Sequence, residues 1–218
     1  MNSGFFDMEG PVFGTIARII DIIWLSILFA ITSIPVFTIG ASLSALYYAV
    51  HKSVRYGRGY ATKEYFKAFG QNFKQATPIA LLLLALYALL GFEIYMMYQY
   101  ALNGSDFGKI YMVLLVVAAF LIMWTVYIFA YLARFKNTTK LILKNAAFFM
   151  VSNIAEAVLM FMILVLCGFL TVKWAWIAIA MPALYMLIAD FFIERVFRKY
   201  MTPEDLADED ERNRVYKE

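Results

Sequence analysis

One cysteine, Cys167, and one histidine, His51, are all that this 218-residue chain holds of the residue types that build disulfides and most metal centres. An intramolecular disulfide is therefore excluded, and a four-ligand zinc site would have to rest on carboxylates. Charge is scarce as well: 16% of residues are Asp, Glu, Lys or Arg, against roughly a quarter in a soluble domain. Residues 1–17 lack any Lys or Arg, so the expected basic start of a secretory signal peptide is missing. No glycine-rich phosphate loop, nucleophile elbow, Ser/His/Asp set or glycosidase-like carboxylate pair is spelled out. The expectation is a protein without enzymatic activity, cofactor or metal.

Apolar residues fill the space that charge leaves. They make up 63% of the chain, with a mean hydropathy of +0.71, and such a surface is solvated by lipid rather than water. A helix that crosses the hydrocarbon layer needs about 20 mainly apolar residues. Runs of that length lie near 15–34, 77–99, 109–132, 146–168 and 174–193. Each is predicted helical, because lipid offers an unpaired backbone group no partner. The fold class expected is an all-α, polytopic transmembrane bundle over residues 1–200 with five spans. Thr77 and Pro78 suit the opening of the second span, and Pro182 should kink the fifth.

The distribution of basic residues orients the set. Of the 19 Lys and Arg, 16 fall in three segments: 52–74, 134–144 and 195–217. The positive-inside rule puts these on the cytoplasmic side, together with the polar tail 201–218, and the short 100–108 and 169–173 connections outside. Topology and phospholipid contact thus account for the net charge of +3, and no nucleic-acid partner is expected. The composition leaves room for a homo-oligomer.

The stretch "ITSIPVFTIGASLSALYYAVHK", residues 31–52, is apolar yet interrupted. In one reading 15–34 crosses inward, Pro35, Thr38 and Gly40 form a turn at the inner boundary, and 41–56 is an inner-face helix. In the other, 36–54 is a short sixth crossing, its small residues permitting close helix approach. The two place the N-terminus on opposite sides.

Residues 33–48, with Pro35, Thr38 and Gly40 followed by Ala45, Leu46, Tyr47 and Tyr48, and then "YFKAFGQNFKQAT" at 65–77, resemble the YesL family of Gram-positive membrane proteins. The resemblance implies a multi-pass protein of the bacterial plasma membrane with an unsettled role. Genes of that family often lie beside carbohydrate importers of the ABC class and polysaccharide-degrading enzymes. That association implies a sugar-uptake accessory whose partners would include permease subunits; it supplies no catalytic residues.

Two features carry the functional expectations. On a helix over 62–75, Phe66, Phe69 and Phe73 share one face while Lys67 and Lys74 lie on another, which suits the headgroup plane or a partner's loop. Glu156, ten residues into the fourth run, would sit ~15 Å deep, with Asn145, Ser152 and Asn153 within about a 100° arc of it. Such a stripe would face protein or a wet path and could serve a small transporter or channel. Asp190, Glu194 and Arg198 read as helix-surface pairs, and His51 as an interfacial residue. "FKAFGQNFKQA" (66–76) is echoed by "FKNTTKLILKNA" (135–146), a hint of duplication. Thr202 should cap a short helix at Pro203, with the acidic residues beyond it loosely ordered.

Overall fold

A computed structural model describes residues 11–214, and among these every regular element is helical. In chain order they are α1 (Pro11–Thr32), α2 (Ile39–Ala49), α3 (Ala61–Leu102), α4 (Tyr111–Arg134), α5 (Thr139–Ser152), α6 (Ile154–Lys173), α7 (Met181–Lys199) and α8 (Pro203–Arg214). Four stretches are long and apolar enough to cross a membrane: Gly14–Thr32, Ala61–Leu102, Asp106–Arg134 and Ile154–Lys173. Their outer faces carry exposed large side chains such as Ile20, Leu89, Val113 and Met162, the surface expected against lipid. Exposed Tyr95, Tyr98 and Tyr100 gather towards the α3–α4 connection, and Trp174 and Trp176 lie at the α6–α7 connection. Amphipathic rings of this kind settle at membrane–water boundaries.

Residues 31–52 do turn, and then run into the core. α1 ends at Thr32, Val36–Thr38 makes one 3₁₀ turn, and α2 begins at Ile39. The buried Thr38 hydroxyl is within bonding reach of the carbonyls of Thr32 and Pro35. Ser42 donates to Thr32, whose hydroxyl also meets the Tyr65 phenol at 2.6 Å. Gly40 sits where α2 crosses α3 and α4: a Cβ there would lie 2.7 Å from Phe129 and 2.8 Å from the Ala76 carbonyl. α2 contacts α1, α3, α4 and α7, and Ala41, Ser42, Ser44, Ala45, Leu46, Tyr47 and Ala49 are all buried. It is packed inside the bundle and does not lie on its surface. Small residues on it permit the close approach.

Three other expectations change. The 62–75 helix and the second span form one 42-residue helix that passes through Pro78. At ~1.5 Å per residue that is about twice the hydrocarbon thickness, so α3 is longer than one crossing needs. α2 packs along the first half of α3, which holds the helix together where proline removes a hydrogen bond. The fourth run breaks at Asn153 (φ −129°, ψ 53°), which separates α5 from α6. The fifth run begins with a 3₁₀ turn at Ala175–Ile179, and only then α7, with Pro182 in its first turn, where a proline interrupts no helical hydrogen bond. α7 is not among the four apolar stretches, because Asp190, Glu194, Arg195 and Arg198 interrupt it.

Candidate functional site

α2 does not stop cleanly at Ala49. Residues Val50–Arg55 widen into a π-helical segment, a local expansion that often marks functional positions. Gly57 (φ 66°) and Gly59 (φ 77°) then turn the chain into α3, and a Cβ on Gly59 would meet the Glu64 carboxylate at 2.8 Å. The widened turn directs His51 and Arg55 to one carboxylate. His51 Nδ1 lies 2.8 Å from Asp190 Oδ1, and Arg55 Nη1 donates to Asp190 Oδ2 at 2.7 Å. One turn on along α7, Glu194 accepts from Tyr47 Oη at 2.8 Å and from Arg134 Nε and Nη2 at 2.9 Å each. Arg134 also contacts Glu209 of α8 at 2.6 Å, and Lys52 pairs with Glu64 at 2.8 Å.

This cluster is buried. Asp190 is 0% exposed, Glu194 1%, His51 4% and Glu209 2%. Unpaired, any of these charges would be very costly in such surroundings; paired and hydrogen-bonded, they tie α2, α4, α7 and α8 together. Burial works against the charge of Asp190, but His51 and Arg55 outweigh it and hold the carboxyl below the usual carboxylate range. A depressed folded-state pKa means that the stabilisation is present above the unfolded value and is lost as pH falls through the folded one. We therefore expect the melting temperature in detergent to drop below about pH 4, the unfolded carboxylate range. Asp190→Asn should melt lower at neutral pH and show a shallower acid limb; an unchanged acid limb would assign that transition to other groups.

One nitrogen of His51 and the carboxylates of Asp190 and Glu194 lie within 4.8 Å of one another, a spacing a divalent ion could bridge. The guanidinium groups of Arg55 and Arg134 already satisfy both carboxylates, so the donor set fits an ion-pair network better than a metal centre.

Two hollows adjoin the cluster. A recess of about 430 Å³ is lined by Tyr47, His51, Lys52, Arg58, Arg134 and Glu209. Beside it, sharing Tyr48, Ala133 and Arg134, an open groove of about 890 Å³ runs between the first half of α3 and residues 132–138, with Lys67, Gln71, Asn72, Gln75 and Lys136 on its walls. The two echoed segments meet here, since Gln75 donates to the Asn137 carbonyl at 2.8 Å. Of the proposed docking face, Phe66 is exposed, Phe69 and Phe73 pack partly against the core, and Lys67 lines the groove while Lys74 does not.

The polar stripe comes apart. Asn145 donates to Tyr131 Oη at 2.9 Å, and Asn153 is buried against the Phe149 carbonyl with Lys199 3.4 Å away. Both face protein, as expected. Ser152 is exposed, and Glu156 is half-buried in the first turn of α6, where a carboxylate complements the helix dipole. The break at Asn153 removes the continuous span that would have put Glu156 ten residues deep.

Asp190 and Glu194 are not surface pairs, and His51 is buried beside them. The missed signal was complementary spacing: His51 and Arg55 stand four residues apart on one element, Asp190 and Glu194 four apart on another. The acidic tail is also ordered. Thr202 caps α8 through the Asp205 amide at 3.2 Å, and Arg198 holds Asp210 at 2.8 Å.

Residues 19–94 match a family described as a protein of unknown function, DUF624. That segment runs from α1 through most of α3 and includes Gly40, His51, Arg55 and Lys67. No curated protein and no solved structure matches the chain. With its apolar helices, the chain is a multi-pass membrane protein, and its residues 19–94 are similar to the DUF624 family.

Proposed function

We propose that this chain is a non-enzymatic accessory protein of the bacterial plasma membrane, of the YesL type, that docks on the permease of a carbohydrate ABC importer. The basic segments and the C-terminal tail then face the cytoplasm, following the positive-inside rule. The observation that carries this reading is the open groove between α3 and residues 132–138. It is wide, polar and edged by Lys67 and Lys136, and it coincides with the segment on which the YesL resemblance rests. An acidic cytoplasmic loop of a permease has the complementary charge.

The buried cluster supports the same reading. Tyr47, Arg55, Arg134, Asp190 and Glu194 are bonded to one another, which makes them a brace for the groove wall more than a conduit. Transport through the Glu156 stripe has less support, since Asn145, Asn153 and Glu156 end in separate environments.

Purification from native membranes in mild detergent should co-recover permease and ATPase subunits. Lys67→Glu with Lys136→Glu should lose them while the protein elutes normally. Repeated recovery of a homo-oligomer free of importer subunits would count against docking. Solute flux by the purified protein in vesicles would favour transport.

A further inference from the structure

The recess beside the cluster has more hydrogen-bonding capacity than its own residues use. Among the residues lining it, Lys52, Arg58 and Arg134 are cationic, and the single carboxylate, Glu209, is lent by α8. Asp190 only accepts, so the His51 nitrogen facing it, Nδ1, carries a hydrogen. His51 lines the recess and Asp190 does not. His51 Nε2 and Arg58 Nε are both buried without a hydrogen-bond partner among the described residues. Buried polar atoms are normally satisfied. Unused nitrogens in a basic hollow of small-molecule size point to an anion.

Charge balance sharpens this. Around the recess and cluster, Lys52, Arg55, Arg58 and Arg134 stand against Glu64, Asp190, Glu194 and Glu209. If Glu209 withdraws, one positive charge is left over. An anionic phosphate group matches the sign of that surplus, and its oxygens can accept from the Lys52, Arg58 and Arg134 donors that line the recess. Glu209 is a poor permanent occupant. It is 2% exposed, and its ion pair is with Arg134 at 2.6 Å, a guanidinium that Glu194 already holds through two hydrogen bonds. Its helix is fastened on the outside by the exposed pair Arg198–Asp210.

We infer that this recess binds a small phosphate-bearing anion, and that Glu209 on α8 fills the anion's place and must leave for it to enter. The inference is tested apart from the accessory reading, because its variants, at Glu209, Asp210 and Arg58, change none of the groove-lining residues.

The test is calorimetric titration of inorganic phosphate into the full-length protein in phosphatidylcholine nanodiscs. Glu209→Gln should bind about tenfold more tightly than the wild type, the size of one close charge contact in a partly wet site. Asp210→Lys, which loosens α8 without entering the recess, should also tighten binding, and it keeps the test decisive if Glu209→Gln folds poorly. Adding Arg58→Ala to the tight variant should abolish the gain. Absence of tightening in both variants, or a gain that survives Arg58→Ala, overturns the inference. Phosphatidic acid in the nanodisc distinguishes the source. If it weakens phosphate binding more than an equal charge of phosphatidylglycerol does, the natural ligand is a lipid headgroup; if the two lipids act alike, it is a soluble phosphate.

Discussion

Arg134→Ala is expected to be the most damaging single substitution outside the backbone. The guanidinium makes two bonds to Glu194 and one close contact with Glu209. Its removal leaves two buried carboxylates without their main counter-charge. Breaking a buried pair from one side costs about 3–5 kcal/mol, which for a chain of this size lowers the melting temperature by roughly 10 °C or more. The cost comes from the stranded carboxylates, so removing their charge should repair it. Arg134→Met combined with Glu194→Gln should recover the part of the loss due to Glu194, because glutamine still accepts from Tyr47 without requiring a cation, while Glu209 still lacks its partner. Melting followed by fluorescence-detected gel filtration in detergent would measure both. If the double variant is no better than Arg134→Ala, the pair matters through packing and the electrostatic account is wrong.

Gly40→Ala is the second, and its effect is steric. The added methyl would sit 2.7 Å from Phe129 Cε1, 2.8 Å from Ala80 Cβ and 2.8 Å from the Ala76 carbonyl. The ring can tilt, but a carbonyl inside α3 cannot move without the helix. Overpacking of this kind costs about 1–3 kcal/mol, and Gly40→Val should cost more, by prising α2 off α3. Gly91→Ala is the matched control: it too lies in a helix, but a Cβ there meets nothing within 4 Å. Alanine's better helix propensity should make that change neutral or stabilising by up to about 1 kcal/mol. Ala80→Gly in the Gly40→Ala background removes one of the three clashes and should restore part of the stability. Equal melting of the Gly40 and Gly91 variants would show that α2 does not need the close approach.

These expectations turn on contacts between distant residues, which marks the limit of one-dimensional reading. The helical class, the apolar surface and four of the five long runs were legible from composition and length, because both reflect the solvent that each segment meets. The turn at Pro35–Gly40 and the cap at Thr202 were legible too, since both depend on neighbours a few residues away. The local errors were of one kind. A single break at Asn153 moved Glu156 from a span centre to a helix start, and α3 continues as one helix through Pro78 with α2 packed against it.

The site was less accessible. Basic residues read as a topology signal include Arg55 and Arg134, which the fold turns inward onto Asp190 and Glu194. The four-residue spacings on the two elements matched, but Asp190 lies 135 residues beyond Arg55 and Glu194 lies 60 beyond Arg134, and only the fold brings them together. A charge in an apolar stretch must find a partner or a wet surface, and that much follows from the residues alone. Which partner it finds depends on how helices cross. Crossing is set by small residues such as Gly40 and by the docking of α8, through contacts that have no period along the chain.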